Sequence, residues 1–123
     1  MGRRSNRKRL KTTNLVVRRA IEADVAIFAP LLRDADVLEV DASCNMTGAE
    51  ALTTGVRISE PCYTAYWCGE PLAMFGVFPF SGPEEAERFG SIWLLGTDMI
   101  DTMGLGFLRV SQGWVEELLQ DYV

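Results

Sequence analysis

The sequence predicts an α+β domain built on a mixed sheet of about four strands with flanking helices. Three observations predict it. Apolar residues recur at helical spacing early and late in the chain, two β-rich runs in the middle are joined by a tight turn, and a third apolar run follows them. At 123 residues the chain accommodates one core rather than two. Nearly half of its residues are hydrophobic (48%), which places it among globular rather than disordered sequences.

In chain order, residues 1–13 form a basic arm and residues 14–123 form the domain. Asn14–Ala20 reads as a first strand around Leu15, Val16 and Val17. Asp24 is suited to cap a helix whose face carries Val25, Phe28, Leu31, Leu32 and Ala35, with Pro30 kinking or restarting it. Asp34–Asp41 is acidic and fits either helix or loop. Thr47-Gly48-Ala49-Glu50 is a capping box, so a helix is expected from Gly48 to about Arg57, with Leu52 and Val56 buried.

Cys62–Trp67 is aromatic and β-favouring. Cys68-Gly69-Glu70-Pro71 then predicts a two-residue hairpin turn of type II′ with glycine first. Leu72–Phe78 returns as the second strand of the hairpin, and Gly76 within it marks a bulge or a close backbone approach. Phe80–Phe89 reads as an acidic loop. Ser91–Leu95, ending at Gly96, reads as a central strand buried on both faces. A last amphipathic helix aligns Phe107, Val110, Trp114 and Leu118, with Arg109, Gln112, Glu116 and Gln120 on its wet face.

Charge is divided unevenly. Arg3, Arg4, Arg7, Lys8, Arg9 and Lys11 supply half of the twelve basic residues, and no acidic residue precedes Glu22. Residues 12–123 carry six basic against seventeen acidic residues, a balance of −11. Such an arm suits contact with nucleic acid or an acidic protein surface, or is a solvated leader. The three cysteines, Cys44, Cys62 and Cys68, have no metal-ligand spacing, and the chain has no histidine. Reduced cysteines, no metal site and no Ser-His or Cys-His pair are therefore expected. No apolar run approaches the roughly 20 residues of a membrane span.

The segments Arg18-Arg19-Ala20-Ile21-Glu22-Ala23-Asp24, Gly69-Glu70-Pro71-Leu72-Ala73-Met74-Phe75-Gly76-Val77 and Gly90-Ser91-Ile92-Trp93-Leu94-Leu95-Gly96-Thr97-Asp98, the last leading towards Phe107-Leu108-Arg109, together resemble the internal virion protein A family of short-tailed bacteriophages. The resemblance spans about residues 14–122. It implies a GNAT-type N-acetyltransferase-like fold and a place in the phage particle. It also implies a further strand and short helix that would close the acetyl-CoA cleft and that have no counterpart here, so the fold is expected to be truncated.

In that fold, strand amides hold the pantetheine arm and a glycine-rich helix start cradles the pyrophosphate. Asp101-Thr102-Met103-Gly104-Leu105-Gly106 matches the two glycines, making Gly104, Leu105 and Gly106 the cofactor-binding candidates if acetyl-CoA binds. Asp101 stands where the pattern has Gln or Arg, and with Asp98 it opposes a pyrophosphate by several kcal/mol on Coulomb grounds. Glu70, Asp98 and Tyr66 are candidates for acid or base chemistry, each better accounted for as a turn, loop or strand residue.

The resulting expectation is a non-catalytic virion protein, without cofactor, found in the particle and in the infected host's cytoplasm before assembly. It would dock on other virion proteins, or on a second copy through the exposed sheet edge, with non-specific DNA contact by the arm. The alternatives are an acetyl-CoA-dependent N-acyltransferase completed by a partner or a dimer, and a small DNA-binding accessory protein acting through its arm.

Overall fold

The computed structural model describes residues 14–81, 88–103, 113 and 116. Strand β1 (Leu15–Arg19) leads to helix α1 (Ala23–Phe28), a 3-10 turn (Ala29–Leu31), helix α2 (Asp34–Cys44) and helix α3 (Gly48–Ile58). Strands β2 (Cys62–Trp67), β3 (Glu70–Ser81) and β4 (Arg88–Gly96) and the short helix α4 (Met99–Met103) follow. The four strands pair in the order β1-β2-β3-β4, antiparallel at every described junction. No helix among the described residues is long and apolar enough to cross a membrane.

Alternation along the strands sorts side chains to two faces. Ala65, Ala73, Phe75 and Val77 are buried on one face, where Leu15, Val17, Tyr63, Trp67, Leu94 and the α4 residues Met99 and Ile100 pack against them. The other face meets the helices through Met74, with Val25, Phe28, Leu32 and Leu52 buried against it. The Trp93 indole lies in this second layer, stacked on Phe78 and donating from Nε1 to Ser59 Oγ at 2.7 Å. Two glycines make room for it. A Cβ on Gly55 would collide with the indole, and one on Gly76 would come within 2.7 Å of the Pro61 carbonyl and 3.1 Å of Trp93 Nε1. Gly76 thus fulfils its expected close approach.

The α3 capping box is present as read. Thr47 Oγ1 accepts from Glu50 N at 3.1 Å, and Glu50 Oε1 accepts from Thr47 N at 3.0 Å. Backbone bonding from Thr47 comes first in holding the Glu50 carboxyl below its usual range. Leu52 is fully buried and Val56 packs partly against the same core.

Several expectations are corrected. Pro30 interrupts the helix as expected, but the helix at Asp24 already stops at Phe28 and Pro30 lies in the 3-10 turn that follows. Leu31 therefore faces solvent, and Ala35 belongs to the next helix. Asp24 is not the N-cap. Glu22 holds that position, and Asp24 accepts the Ile21 N–H from one turn further in. The acidic stretch is helical as α2, with Val40 buried and Val37 and Leu38 exposed.

The hairpin turn is displaced by one residue. Trp67 pairs with Glu70, and the intervening Cys68 and Gly69 have φ of 51° and 80°. Two positive φ values are what type I′ requires, not II′. The bulge falls at Leu72, the extra residue where Ala65↔Ala73 is followed by Tyr66↔Pro71. β3 and β4 run further into the expected acidic loop, pairing out to Ser81↔Arg88. Residues 82–87 lie outside the described residues. So does most of the last expected helix, although Gly113 and Glu116 are helical and exposed.

β4 is not a central strand among the described residues. It is the last of the four, and Ile92 is 41% exposed. Its length and apolar character resemble a buried strand because its inner residues do pack, Leu94 on one face and Trp93 and Leu95 on the other.

The outer edge of β4 and its carboxylate lock

The hydrogen-bonding phase of β4 follows from its end. Thr97 N donates to Leu72 O at 3.0 Å, so Thr97 faces β3. In an antiparallel ladder successive residues alternate. Leu95, Trp93 and Ser91 therefore also bond to β3, while Gly96, Leu94, Ile92 and Gly90 direct their N–H and C=O outward. Pro79 fits this phase: it stands opposite Gly90, where the ladder asks for no N–H.

At Gly96 the outer edge is closed by the chain itself. The Gly96 N–H donates to Asp36 Oδ2 at 2.8 Å, and the Gly96 carbonyl accepts from Arg33 N at 2.9 Å. Leu32 bridges Thr97 beside this contact. Asp36 is buried at the first turn of α2 and is gripped by Arg33, whose Nη2 reaches Oδ1 at 2.9 Å and whose Nε reaches Oδ2 at 3.3 Å. Arg33 also donates to Asp101 Oδ1 at 3.0 Å. Its own pKa is raised, chiefly by the hydrogen bond to Asp36, with Asp101 adding to it.

The donors at the start of α4 are likewise in use. Thr97 Oγ1 donates to Pro71 O at 2.7 Å and accepts from Met99 N at 3.2 Å. Ile100 N donates to Thr97 O, and Asp101 N donates to Asp98 O.

Asp101 is thus a member of an ion pair rather than an unopposed carboxylate. Arg33 and Asp36 are candidate-site residues that local sequence pattern does not single out. Their only sequence signal is an Arg-x-x-Asp spacing at the entrance to an ambiguous acidic stretch. Glu70 and Asp98 come together, with Leu31, Pro71, Thr97 and Met99, around a shallow pocket of about 180 Å³. Tyr66 does not line it; its ring packs edge-on against Phe28 and its hydroxyl accepts from Arg18. Gly104, Leu105 and Gly106 lie outside the described residues, as do Arg3, Arg4, Arg7, Lys8, Arg9 and Lys11. Among the described residues no cluster of three or more Cys, Asp or Glu side chains is arranged to hold a metal ion.

Beyond the lock, the open part of the edge flanks a groove of about 420 Å³ between β4, α2 and α3. Val40, Met46, Ala51, Ile58, Phe78 and Trp93 supply much of its apolar lining, and Glu39 stands at its rim.

No family model matches the chain, and no curated protein matches it. Among solved structures, the chain is similar to the crystal structure of a possible acetyltransferase from Clostridium difficile 630. The TM-score is 0.58 at 8% identity, over 86% of this chain and 71% of that one. The fold is acetyltransferase-like. Four antiparallel strands carry the α1–α3 layer on one face, and among the described residues no strand pairs with the outer edge of β4.

Proposed function

We propose that this chain is a non-catalytic bacteriophage virion component that uses an acetyltransferase-like scaffold to dock on other virion proteins or DNA. The observation that carries the non-catalytic part is the lock at Gly96. In the acetyltransferase fold the end of this strand offers backbone amides, and the following helix start offers N–H groups, to an anionic cofactor. Here the Gly96 amide is taken by the chain's own buried carboxylate, and Asp98 adds negative charge at the same end. The virion part rests on the resemblance carried by the segments 18–24, 69–77 and 90–98. The basic arm suits phosphate or acidic-protein contact, giving salt-sensitive affinity without sequence reading.

Mass spectrometry of purified particles tests the virion role, and detection of the chain at stoichiometric levels is the expected result. Isothermal titration with acetyl-CoA tests the absence of cofactor binding, and no heat at roughly millimolar ligand is expected.

A second reading has an observation of its own. The outward amides and carbonyls of Ile92 and Leu94 are what a pantetheine arm would pair with, as in an N-acyltransferase completed by a partner or a dimer. A saturable heat with acetyl-CoA would favour that reading over the first.

A further inference from the structure

The groove beside β4 has two properties that together specify an occupant. The first is a row of outward backbone groups on Gly90, Ile92 and Leu94, with no strand among the described residues paired to them. A strand edge of this kind is satisfied by another extended backbone. The lock at Gly96 sets the limit of the pairing, because beyond Leu94 the edge is closed by Asp36 and Arg33. The second is the groove itself, whose volume of about 420 Å³ gives alternate side chains of an added strand an apolar place to enter, between Val40, Ala51, Ile58 and Trp93. Ile58 and Ile92 are 52% and 41% exposed at its margin.

Charge selects among extended segments. Glu39 is the charged residue lining the groove, and α2 also carries Asp34 and Asp41, its remaining carboxylate, Asp36, being buried and paired with Arg33. A second copy paired β4 to β4 about a two-fold axis would bring both α2 helices to the same side of the joined sheet, facing each other across the seam. Asp34, Glu39 and Asp41 of one copy would then lie on the same side as those of the other, which disfavours a self-pair.

We propose that the outer edge of β4, from Gly90 to Leu94, is a docking site for an extended segment of another protein. That segment is apolar at alternate positions and basic at its ends, and it adds as a fifth strand over the groove. This deepens the docking reading above and rests on it only for the idea that the scaffold binds rather than catalyses.

The test uses the full chain and a fluorescent peptide of alternating valine and threonine with two lysines at each end. Two control peptides differ from it, one with glutamate for lysine and one with a central proline. Saturable anisotropy with the lysine peptide is expected, weakened about tenfold or more by either change. Hydrogen exchange at the Ile92 and Leu94 amides should slow on binding, while exchange at Leu95, already bonded to β3, should not. Ile92→Pro removes an outward N–H and no β3 bond, so it should abolish binding in a folded protein. Ser43→Trp, on exposed helix surface at the groove, should do the same by filling it. Glu39→Lys should reverse the preference towards the glutamate peptide.

Equal binding of the proline-interrupted peptide, or no binding at roughly millimolar peptide, overturns the proposal. A wild-type dimer in sedimentation that Ile92→Pro dissolves also overturns it, in favour of a second copy. Loss of peptide binding together with a confirmed place in the particle removes this site and keeps the virion role. Peptide binding by a chain absent from particles does the reverse.

Discussion

Two buried carboxylates organise this molecule, and their partners divide it into a sealed region and an adjustable one. At the β1–α1 junction, Asp24 receives Arg18 Nη1 and Nη2 at 3.0 and 2.7 Å, Thr64 Oγ1 at 3.0 Å and Ile21 N at 2.9 Å. At the α2–β4 junction, Asp36 receives Arg33 twice and the Gly96 amide. In both, an arginine grips a carboxylate in the first turn of a helix, and that carboxylate bonds the sheet. The difference lies in what the carboxylate meets on the strand. Asp24 takes a side chain, the Thr64 hydroxyl, from the interior of the sheet. Asp36 takes a backbone group from its edge, one that another strand or a cofactor would otherwise use. The first contact fixes the fold, whereas the second also decides what the edge can bind.

If that division is right, the largest loss comes from the sealed region. Asp24→Ala leaves the Thr64 hydroxyl buried and the Ile21 N–H without its acceptor. Arg18, still partly wet, loses its counter-charge. A cost of about 3 kcal/mol is expected, intermediate between losing a hydrogen-bonded group and breaking a fully buried pair. Chemical denaturation read by tryptophan fluorescence measures it, and a loss below about 1 kcal/mol would break the comparison.

The same contact has an acid signature. Burial works against the Asp24 charge, but the hydrogen bonds from Arg18, Ile21 N and Thr64 outweigh it and hold the carboxyl below its usual range. A depressed carboxyl stabilises the fold above its unfolded pKa of about 3.9, and that contribution is lost as pH falls through the lower folded value. The acid limb of a stability curve should therefore flatten in Asp24→Asn.

Asp36→Ala should cost less, about 1–2 kcal/mol, because Arg33 keeps Asp101 as a partner and one backbone donor, the Gly96 N–H, loses its acceptor. Its clearer effect should be local. Exchange of the Gly96 amide should accelerate by about tenfold or more while the Thr64 region stays protected. If acetyl-CoA binds the variant and not the wild type, the lock is what excludes it. Indifference of Gly96 exchange to the substitution would remove Asp36 from the edge.

Why the two regions were not equally readable in the sequence follows from the same contrast. The Thr47–Glu50 capping box, the β2–β3 hairpin and the apolar run of β4 announce themselves through nearest neighbours, and all three are present. The I′ turn was misplaced because Cys68 carries a positive φ that its residue type does not advertise. Both carboxylate contacts span long sequence separations, 40 residues from Asp24 to Thr64 and 60 from Asp36 to Gly96. Local pattern could mark Asp24 as a helix-start residue and could not say that it is buried. Helix α2 stayed ambiguous because Val37 and Leu38 are exposed and only Val40 and Asp36 are buried, so it has no apolar stripe to read.

The smallest expected effect tests how far the Asp24 field reaches. Cys62 begins β2 beside this cluster, and its thiol is pushed up from 9.0 to about 11, first by burial and then by the Asp24 charge, with Arg19 opposing. Its neutral form is favoured by folding, so stability should decline between about pH 9 and 11 as the unfolded thiol ionises first. Asp24→Asn removes one of the two raising causes and keeps the other. In that variant the Cys62 pKa, read from thiolate absorbance, should fall from its wild-type value yet stay above the 9.0 of an ordinary exposed thiol. A value unchanged by the substitution would mean that burial alone sets it, and that the Asp24 charge is fully spent on Arg18, Thr64 and the Ile21 amide. A fall all the way to the exposed value would mean that the variant has opened the β1–α1 junction, which the denaturation experiment would register independently.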